Sequence, residues 1–310
     1  MTKFTRTGLI LIKKNVNNII HLLFIMVKYL LVVPHGGFND CLGLILRSIE
    51  YCKKYSRTLL LHMRRPIYNI NFSDFFDVLP SIECEIIYDF NIINDLLSNN
   101  QYSVYPDCLN NLLKGVLYNT VRIMYRDVKS AYFFRNVELS LPSNVVEADV
   151  IVFSSGGGGK GYTLFQNLTM KDCIKEHCRQ RLALLSDDNY LCIHVRNTDY
   201  KCDYRKLYSD NKELIDSFGK IYVATDDKDV ITFFKTKHSN VFNFTQFPQE
   251  SRYRSLHTSS IDPVVKMNDM LCDIFIAANS KQILSNSRGG YINLMRDCFD
   301  NKDFIMNKLQ

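Results

Sequence analysis

The apolar positions of this chain fall into short saturated runs, separated by segments in which they recur every three or four residues. Tyr29 to Val33 is such a run, and it stops abruptly at Pro34-His35-Gly36-Gly37. A short run without alternation predicts a strand buried on both faces. The loop His35 to Asp40 leads into a helix from about Cys41 to Tyr55, with Leu42, Ile45, Ile49 and Cys52 on one stripe and Asp40 placed as its N-cap. Thr58 to His62 follows as a strand, which makes the opening a right-handed βαβ unit of a parallel sheet. Cys84 to Tyr88 and Val150 to Phe153 read as further buried strands, and Asn91 to Leu97 and Leu109 to Leu117 as helices.

A glycine-rich break at Ser154 to Gly161 interrupts this pattern. Beyond it, Thr169-Met170-Lys171-Asp172 has the form of a capping box, opening a helix with Met170, Ile174, Cys178 and Leu182 on one face. Alternation then resumes: strand Tyr190 to Val195, helix Asn211 to Phe218, strand Lys220 to Ala224, helix Asp227 to Lys237, strand Asn240 to Phe244, helix Asp262 to Asn279, strand Lys281 to Leu284 and a last helix from Gly290. Strand-helix alternation on both sides of a break predicts two doubly wound α/β lobes. The boundaries this gives are an extension at 1–25, a first lobe at 26–165 and a second at 166–310.

A chain of 310 residues, 46% hydrophobic, has enough apolar material for two such cores. Its net charge of +6 suits a phosphate-bearing small ligand and lacks the clustered basic stripe of a nucleic-acid binder. The ten cysteines form no CxxC pair and no metal-ligand spacing, so they read as free thiols of a cytoplasmic protein. The sequons at Asn71, Asn167 and Asn243 carry little weight in an Asn-rich chain. Ile19 to Val27 is apolar but well short of the roughly 20 residues a membrane span needs. It reads as part of a non-essential extension, and a lumenal form anchored by this segment is the other option.

Three strand ends carry the candidate chemistry. His194-Val195-Arg196-Asn197-Thr198-Asp199 ends one strand in charged groups, at the carboxyl edge where open α/β sheets bind ligands. Arg196 offers a planar fork of donors suited to a diphosphate, and Asp199 can orient it. Tyr222 to Asp227 delivers Asp226 and Asp227 at a second strand end, and Ser285-Asn286-Ser287-Arg288-Gly289-Gly290 supplies small residues and backbone N–H groups at a third. The competing reading of each is a surface ion pair or a solvated helix start.

The order and wording of these blocks, from about Tyr190 to Met295, resemble the α1,6-, α1,2- and protein O-fucosyltransferase superfamily. Cys272-Asp273-Ile274 and the loop Gly36-Gly37-Phe38-Asn39-Asp40 add to the likeness. The resemblance implies a GT-B-type fold of two facing Rossmann-like lobes, with GDP-fucose held by the C-terminal lobe and no obligatory metal or other cofactor. It implies that Arg196 clamps the β-phosphate and Ser287 hydrogen-bonds it, with Ser285 in the same loop. His194 and Asp273 would contact guanine or ribose, Asp226 or Asp227 would shape the base pocket, and Gly36, Gly37 and Asn39 would form the loop of the first lobe. The partners implied are a nucleotide sugar and a glycan or glycoprotein acceptor, without nucleic acid or membrane. Where α1,6-fucosyltransferases carry a glutamate as candidate base, this chain reads Tyr200-Lys201-Cys202-Asp203-Tyr204, leaving Asp203 and then Asp199 as substitutes. The expected reaction is inverting transfer of fucose from GDP-fucose to a hydroxyl.

Two other functions compete. Asp227-Lys228-Asp229 is a DxD pattern of the kind metal-dependent glycosyltransferases use, and the altered segment after Asp199 is compatible with a nucleotide-sugar-binding protein that has lost its base. The glycine run is not a P-loop, because Ser154 and Gly161 stand where a Gly and a Ser or Thr are required. It reads as an interlobe loop, with Lys160 facing a phosphate or an acidic acceptor as its functional version.

Overall fold

In the computed structural model the residues described are 9–16, 19–64, 68–98, 102–113, 116, 122–126, 129–134, 137–156, 160–250, 253 and 255–310. The glycine run at 157–159, residues 1–8 of the extension and part of the expected Leu109 to Leu117 helix lie outside them.

The first lobe is a parallel sheet of five strands. In chain order it is built from β1 (Tyr29–Val32), α1 (Phe38–Tyr55), β2 (Thr58–Leu61), β3 (Ile86–Ile87), α2 (Phe90–Leu97), β4 (Val104–Tyr105) and β5 (Val150–Phe153), and the strands lie side by side in the order β3-β2-β1-β5-β4. β1, β2 and β5 are buried along their whole length, as saturated apolar runs require. Buried Arg57 knits their lower ends together by donating to the carbonyls of Tyr29, Ala148 and Val146 at 3.1, 2.9 and 2.6 Å. At the other end, buried Ser154 donates to the Val33 carbonyl at 2.6 Å and joins β5 to β1.

The second lobe follows α3 (Gly161–Phe165) and α4 (Asp172–Leu185). It comprises β6 (Leu191–Val195), α5 (Tyr204–Asp210), α6 (Lys212–Asp216), β7 (Ile221–Thr225), α7 (Lys228–Lys237), β8 (Val241–Phe242), α8 (Pro263–Asn279), β9 (Gln282–Leu284), α9 (Gly290–Asp300) and α10 (Lys302–Asn307). Its four strands are all parallel, in the order β8-β7-β6-β9. The first strand of each lobe is thus flanked on one side by the next strand and on the other by a strand from much later in the chain. That is the topological switch point at which doubly wound sheets bind ligands.

Several expectations change. α1 starts at Phe38 with Gly37 as its N-cap, so Asp40 sits one turn inside the helix, where its Oδ2 accepts from the Gly37 N–H at 3.2 Å. The capping box expected at Thr169 is a strand: Leu168–Met170 pairs antiparallel with Phe76–Val78, and α4 begins only at Asp172. That two-stranded ribbon ties the start of the second half to the first lobe. Leu9–Val16 and Ile19–Met26 pair antiparallel, and Arg122–Arg126, Lys129–Phe134 and Val137–Glu138 form a three-stranded antiparallel sheet. Among the described residues, no helix is long and apolar enough to cross a membrane.

The core crosses between the lobes. One cluster of buried side chains runs from Leu30, Val32 and Leu59 of the first sheet, through Phe38, Leu42 and Ile45 of α1, to Cys192, Tyr222 and the α8 residues Leu271 to Ala278. Val264 near the start of α8 is exposed, whereas both faces of that helix from Leu271 onward are buried.

Candidate active site

The carboxyl ends of both sheets open onto one cleft of about 430 Å³. From the first lobe it is lined by Gly36, Gly37, Phe38, Asn39, Asp40, Tyr68 and Gly156, and from the second by the ends of β6 and β7, the face of α8 and the start of α9. The two switch points therefore confront each other across a single space.

The loop after β1 turns so sharply that Gly36 adopts φ +97°, a conformation that favours glycine, and a Cβ there would lie 3.0 Å from the Asp40 side chain. Asn39, buried at the cleft wall, is held between two other glycines. A Cβ on Gly161 would come within 2.3 Å of Asn39 Oδ1 and 2.8 Å of its carbonyl, and one on Gly290 within 3.1 Å of Asn39 Nδ2. The last residue of the glycine-rich break is therefore a packing device, letting α3 close on α1.

Across the cleft, Arg196 leaves β6 and is gripped in the two-point geometry by Asp199, Nε to Oδ1 at 2.9 Å and Nη2 to Oδ2 at 2.7 Å. That pair holds the guanidinium charged, raising its pKa further, and fixes its plane. Its Nη1 lies 3.5 Å from where a Cβ on Gly289 would stand, so the fork abuts the N-cap of α9. Ser287 is buried in the same loop and accepts from the Gly289 N–H at 3.4 Å. A guanidinium, a hydroxyl and the open N–H groups of an eleven-residue helix therefore adjoin, which is the chemistry of an anion site.

His194 is buried beneath this site, its Nδ1 3.1 Å from Ser285 Oγ. Burial, with Arg196 and Arg296 nearby, pushes its pKa down to about 3, so the ring is neutral. Asp273 is buried on α8 and accepts from the Tyr222 hydroxyl. Desolvation outweighs that hydrogen bond and raises its pKa to about 7.

Of the residues expected at the site, His194, Arg196, Asp226, Asp273, Ser287, Gly36, Gly37 and Asn39 line the cleft. Asp199, Asp203, Asp227 and Ser285 do not. Asp199 serves Arg196, and Ser285 serves His194. Asp203 caps α5 by accepting from the Lys206 N–H at 2.9 Å, so it is engaged away from the cleft. Asp226 is also engaged, taking the Asn197 N–H at 2.7 Å and the Thr198 hydroxyl at 2.5 Å and thereby fixing the loop that carries Arg196. Of the DxD pair, Asp227 caps α7 by accepting from the Asp229 N–H at 2.9 Å and takes the Asn197 side-chain amide at 2.7 Å. Among the described residues no group of His, Cys, Asp and Glu is arranged to hold a metal ion.

The sequence reading missed Asp40, Tyr68, Lys266, Asp269, Met270 and Tyr291 as cleft residues. Lys266, Asp269 and Asp273 sit at i, i+3 and i+7 of α8, a charged stripe with Met270 beside it on a largely apolar helix, and that spacing was the available signal. Tyr68 and Tyr291 had none: Tyr68 reaches the cleft from the first lobe, and Tyr291 is set by contacts distant in sequence, its hydroxyl donating to the Met270 carbonyl at 2.6 Å and its ring lying against His194.

The same fold occurs in solved fucosyltransferases. Fucosyltransferase NodZ from Bradyrhizobium is 16% identical, with a TM-score of 0.56 covering 87% of this chain and 93% of its own. NodZ α-1,6-fucosyltransferase co-crystallized with GDP gives 16%, 0.57, 87% and 92%. POFUT1 in complex with GDP gives 12%, 0.53, 89% and 96%. The two facing Rossmann-like lobes are thus the GT-B arrangement of these enzymes. No family model and no curated protein matches the chain.

Proposed function

We propose that the protein is an inverting glycosyltransferase that moves fucose from GDP-fucose to a hydroxyl of a glycan or glycoprotein, without an obligatory metal ion. The observation that carries this reading is the convergence of the Asp199-held Arg196 guanidinium, Ser287 and the N-terminus of α9 at one switch-point cleft. The GDP complexes of NodZ and POFUT1, which share the fold, support the choice of donor.

In this reading the diphosphate sits against Arg196, Ser287 and the first N–H groups of α9, which stabilise the charge gathering on the leaving GDP. A fixed cation and helix dipole there perform the task a divalent ion performs elsewhere. The acceptor oxygen bonds to the anomeric carbon as the bond to the β-phosphate oxygen breaks, and the electron pair leaves with GDP. The acceptor proton needs a base. Asp226, Asp269 and Asp273 are the cleft carboxylates of the second lobe, the lobe that carries the diphosphate site in this reading. Asp40, whose Oδ2 also accepts from the Gly37 N–H, is the cleft carboxylate of the first lobe, across from the diphosphate site, and in this mechanism it takes the proton in place of Asp203 and Asp199.

A panel of nucleotide sugars, scored by release of free nucleotide with and without a chelator, tests the proposal. GDP-fucose should turn over equally in both conditions. Arg196→Ala should lose about 10²–10³ in kcat, and Arg196→Lys should restore little, since an ammonium cannot reproduce the fork. Turnover of another donor in place of GDP-fucose overturns the fucosyl assignment, and GDP binding without transfer to any acceptor makes the protein a binding module.

A further inference from the structure

The cleft that would hold the diphosphate is acidic. Its lining carries the carboxylates of Asp40, Asp226, Asp269 and Asp273 against the cations Arg196 and Lys266, and Arg196 is already paired with Asp199. Carboxylates left uncompensated on its walls would repel the anion. Asp40 is met by the Gly37 N–H, Asp226 by the Asn197 N–H and the Thr198 hydroxyl, and Asp273 by the Tyr222 hydroxyl. Asp269 is met by a full charge.

That charge is Arg181, which lies on α4 and is not part of the lining. Its Nη2 donates to Asp269 Oδ1 at 2.5 Å, the other oxygen takes the Gln246 N–H at 2.7 Å, and both side chains are almost wholly buried. The guanidinium lies 5.8 Å from the centroid of the Phe244 ring, which packs in turn against Tyr222, the partner of Asp273. It is close enough to lower the pKa of Asp273, so it acts on both carboxylates that α8 presents to the cleft. Burial works against the charge of Arg181, and Asp269 more than restores it. A buried ion pair adds little to stability over apolar side chains of the same shape. Arg181 also leaves its Nη1 buried with no hydrogen-bond partner among the described residues, a cost that a purely structural pair has no reason to carry. What the pair does supply is a cleft wall whose carboxylate is cancelled from behind.

We infer that Arg181 is a positioning residue of the donor site: it fixes Asp269 and cancels its charge from behind the wall, which lets an acidic cleft take up a nucleoside diphosphate. The inference rests on the GDP-fucose reading of the cleft and adds to it a residue that acts on the ligand only through Asp269.

Binding of GDP and guanosine, measured by calorimetry on wild type, Arg181→Met, Asp269→Asn and the double variant, tests it. Arg181→Met leaves Asp269 uncancelled and should weaken GDP by about tenfold, the effect of one unit charge roughly 10 Å away at an effective dielectric constant of about 20. Guanosine, which carries no charge, should hardly change. Adding Asp269→Asn, which removes the repelling charge and keeps an acceptor for the Gln246 N–H, should restore GDP to near wild type. Asp269→Asn alone leaves the charge of Arg181 uncancelled and should tighten GDP by a similar factor, so the test stands even if Arg181→Met does not fold. Suppose GDP binds wild type, but Arg181→Met weakens GDP and guanosine alike or changes neither, the double variant stays as weak as Arg181→Met, or Asp269→Asn does not tighten GDP. Any of these sinks this inference alone. If wild type does not bind GDP, the donor reading fails with it.

Discussion

His194 and Asp273 are both buried in the cleft wall, yet burial moves their proton affinities in opposite directions. His194, with a pKa near 3, stays neutral in the folded protein while the unfolded chain takes up a proton below its ordinary value of about 6.5. Its contribution to stability is therefore present above that value and lost as pH falls. Asp273, with a pKa near 7, keeps its proton in the folded protein where the unfolded chain has lost it. Its contribution is present at low pH and lost as pH rises toward 7. Between roughly pH 4 and 6.5 the two slopes oppose each other, each on the order of 1.4 kcal/mol per pH unit. Asp273→Asn, which keeps an acceptor for Tyr222, should unmask the histidine slope and become more stable from pH 5 to 6.5. His194→Asn should do the reverse. Denaturant melts of both variants across that range check the pair, and parallel curves for the two would show that neither group titrates as argued. At the same scale, Asp40→Asn keeps the hydrogen bond to the Gly37 N–H but cannot take a proton. It should cost about 10²–10⁴ in kcat with little change in the KM for GDP-fucose, and an unchanged kcat would remove Asp40 from the mechanism.

At the scale of elements, the cleft depends on how closely α3 and α9 approach α1. Gly161 permits the first approach: an added Cβ would press on the Asn39 carbonyl as well as its side chain, and backbone cannot swing aside. Gly161→Ala should therefore cost about 1–3 kcal/mol, a drop of several degrees in thermal midpoint, and should weaken GDP because Asn39 lines the cleft. Gly219 has nothing within 4 Å of its would-be Cβ, so Gly219→Ala is the matched control and should melt close to wild type. This element-level view also explains what was legible in the sequence. Strands β1, β5, β6 and β7 announced themselves as saturated apolar runs, and the residues at their carboxyl ends, His194, Arg196, Asp226 and the Gly36-Gly37 loop, could be read because a strand end fixes where its next residues point. Asp203 and Asp227 were harder, since an aspartate before a helix has the same spelling whether it caps or catalyses. Leu168–Met170 was misread because its partner, Phe76–Val78, lies some ninety residues away, and a three-residue strand has no local pattern of its own. Asp40 was hidden for a third reason: its role depends on which face of α1 the opposite lobe leaves open.

For the whole molecule, the question is whether the two sheets can fold apart. The expected division at 166 would give two domains with separate cores, but the main buried cluster passes from Leu30 and Val32 through α1 into α8 and α9 without a break. Other ties cross the same line. The Leu168–Met170 strand pairs with Phe76–Val78, and Lys171 pairs with Asp77 at 2.6 Å. Cutting the chain at 166 would part Phe165 from Phe275, whose ring centroids lie 6.2 Å apart, and would uncover the side chains of the shared cluster that each half buries against the other. Each such side chain returned to water costs about 1.5–3 kcal/mol, against a total stability of only 5–15 kcal/mol for a typical protein. Neither half should fold alone. Scanning calorimetry of the full chain should give one transition whose calorimetric and van't Hoff enthalpies agree, and GDP should raise that single midpoint as a unit. Two resolved transitions, with GDP shifting only the upper or the lower, would mean that the lobes are thermodynamically separate and that the shared cluster contributes little to their union.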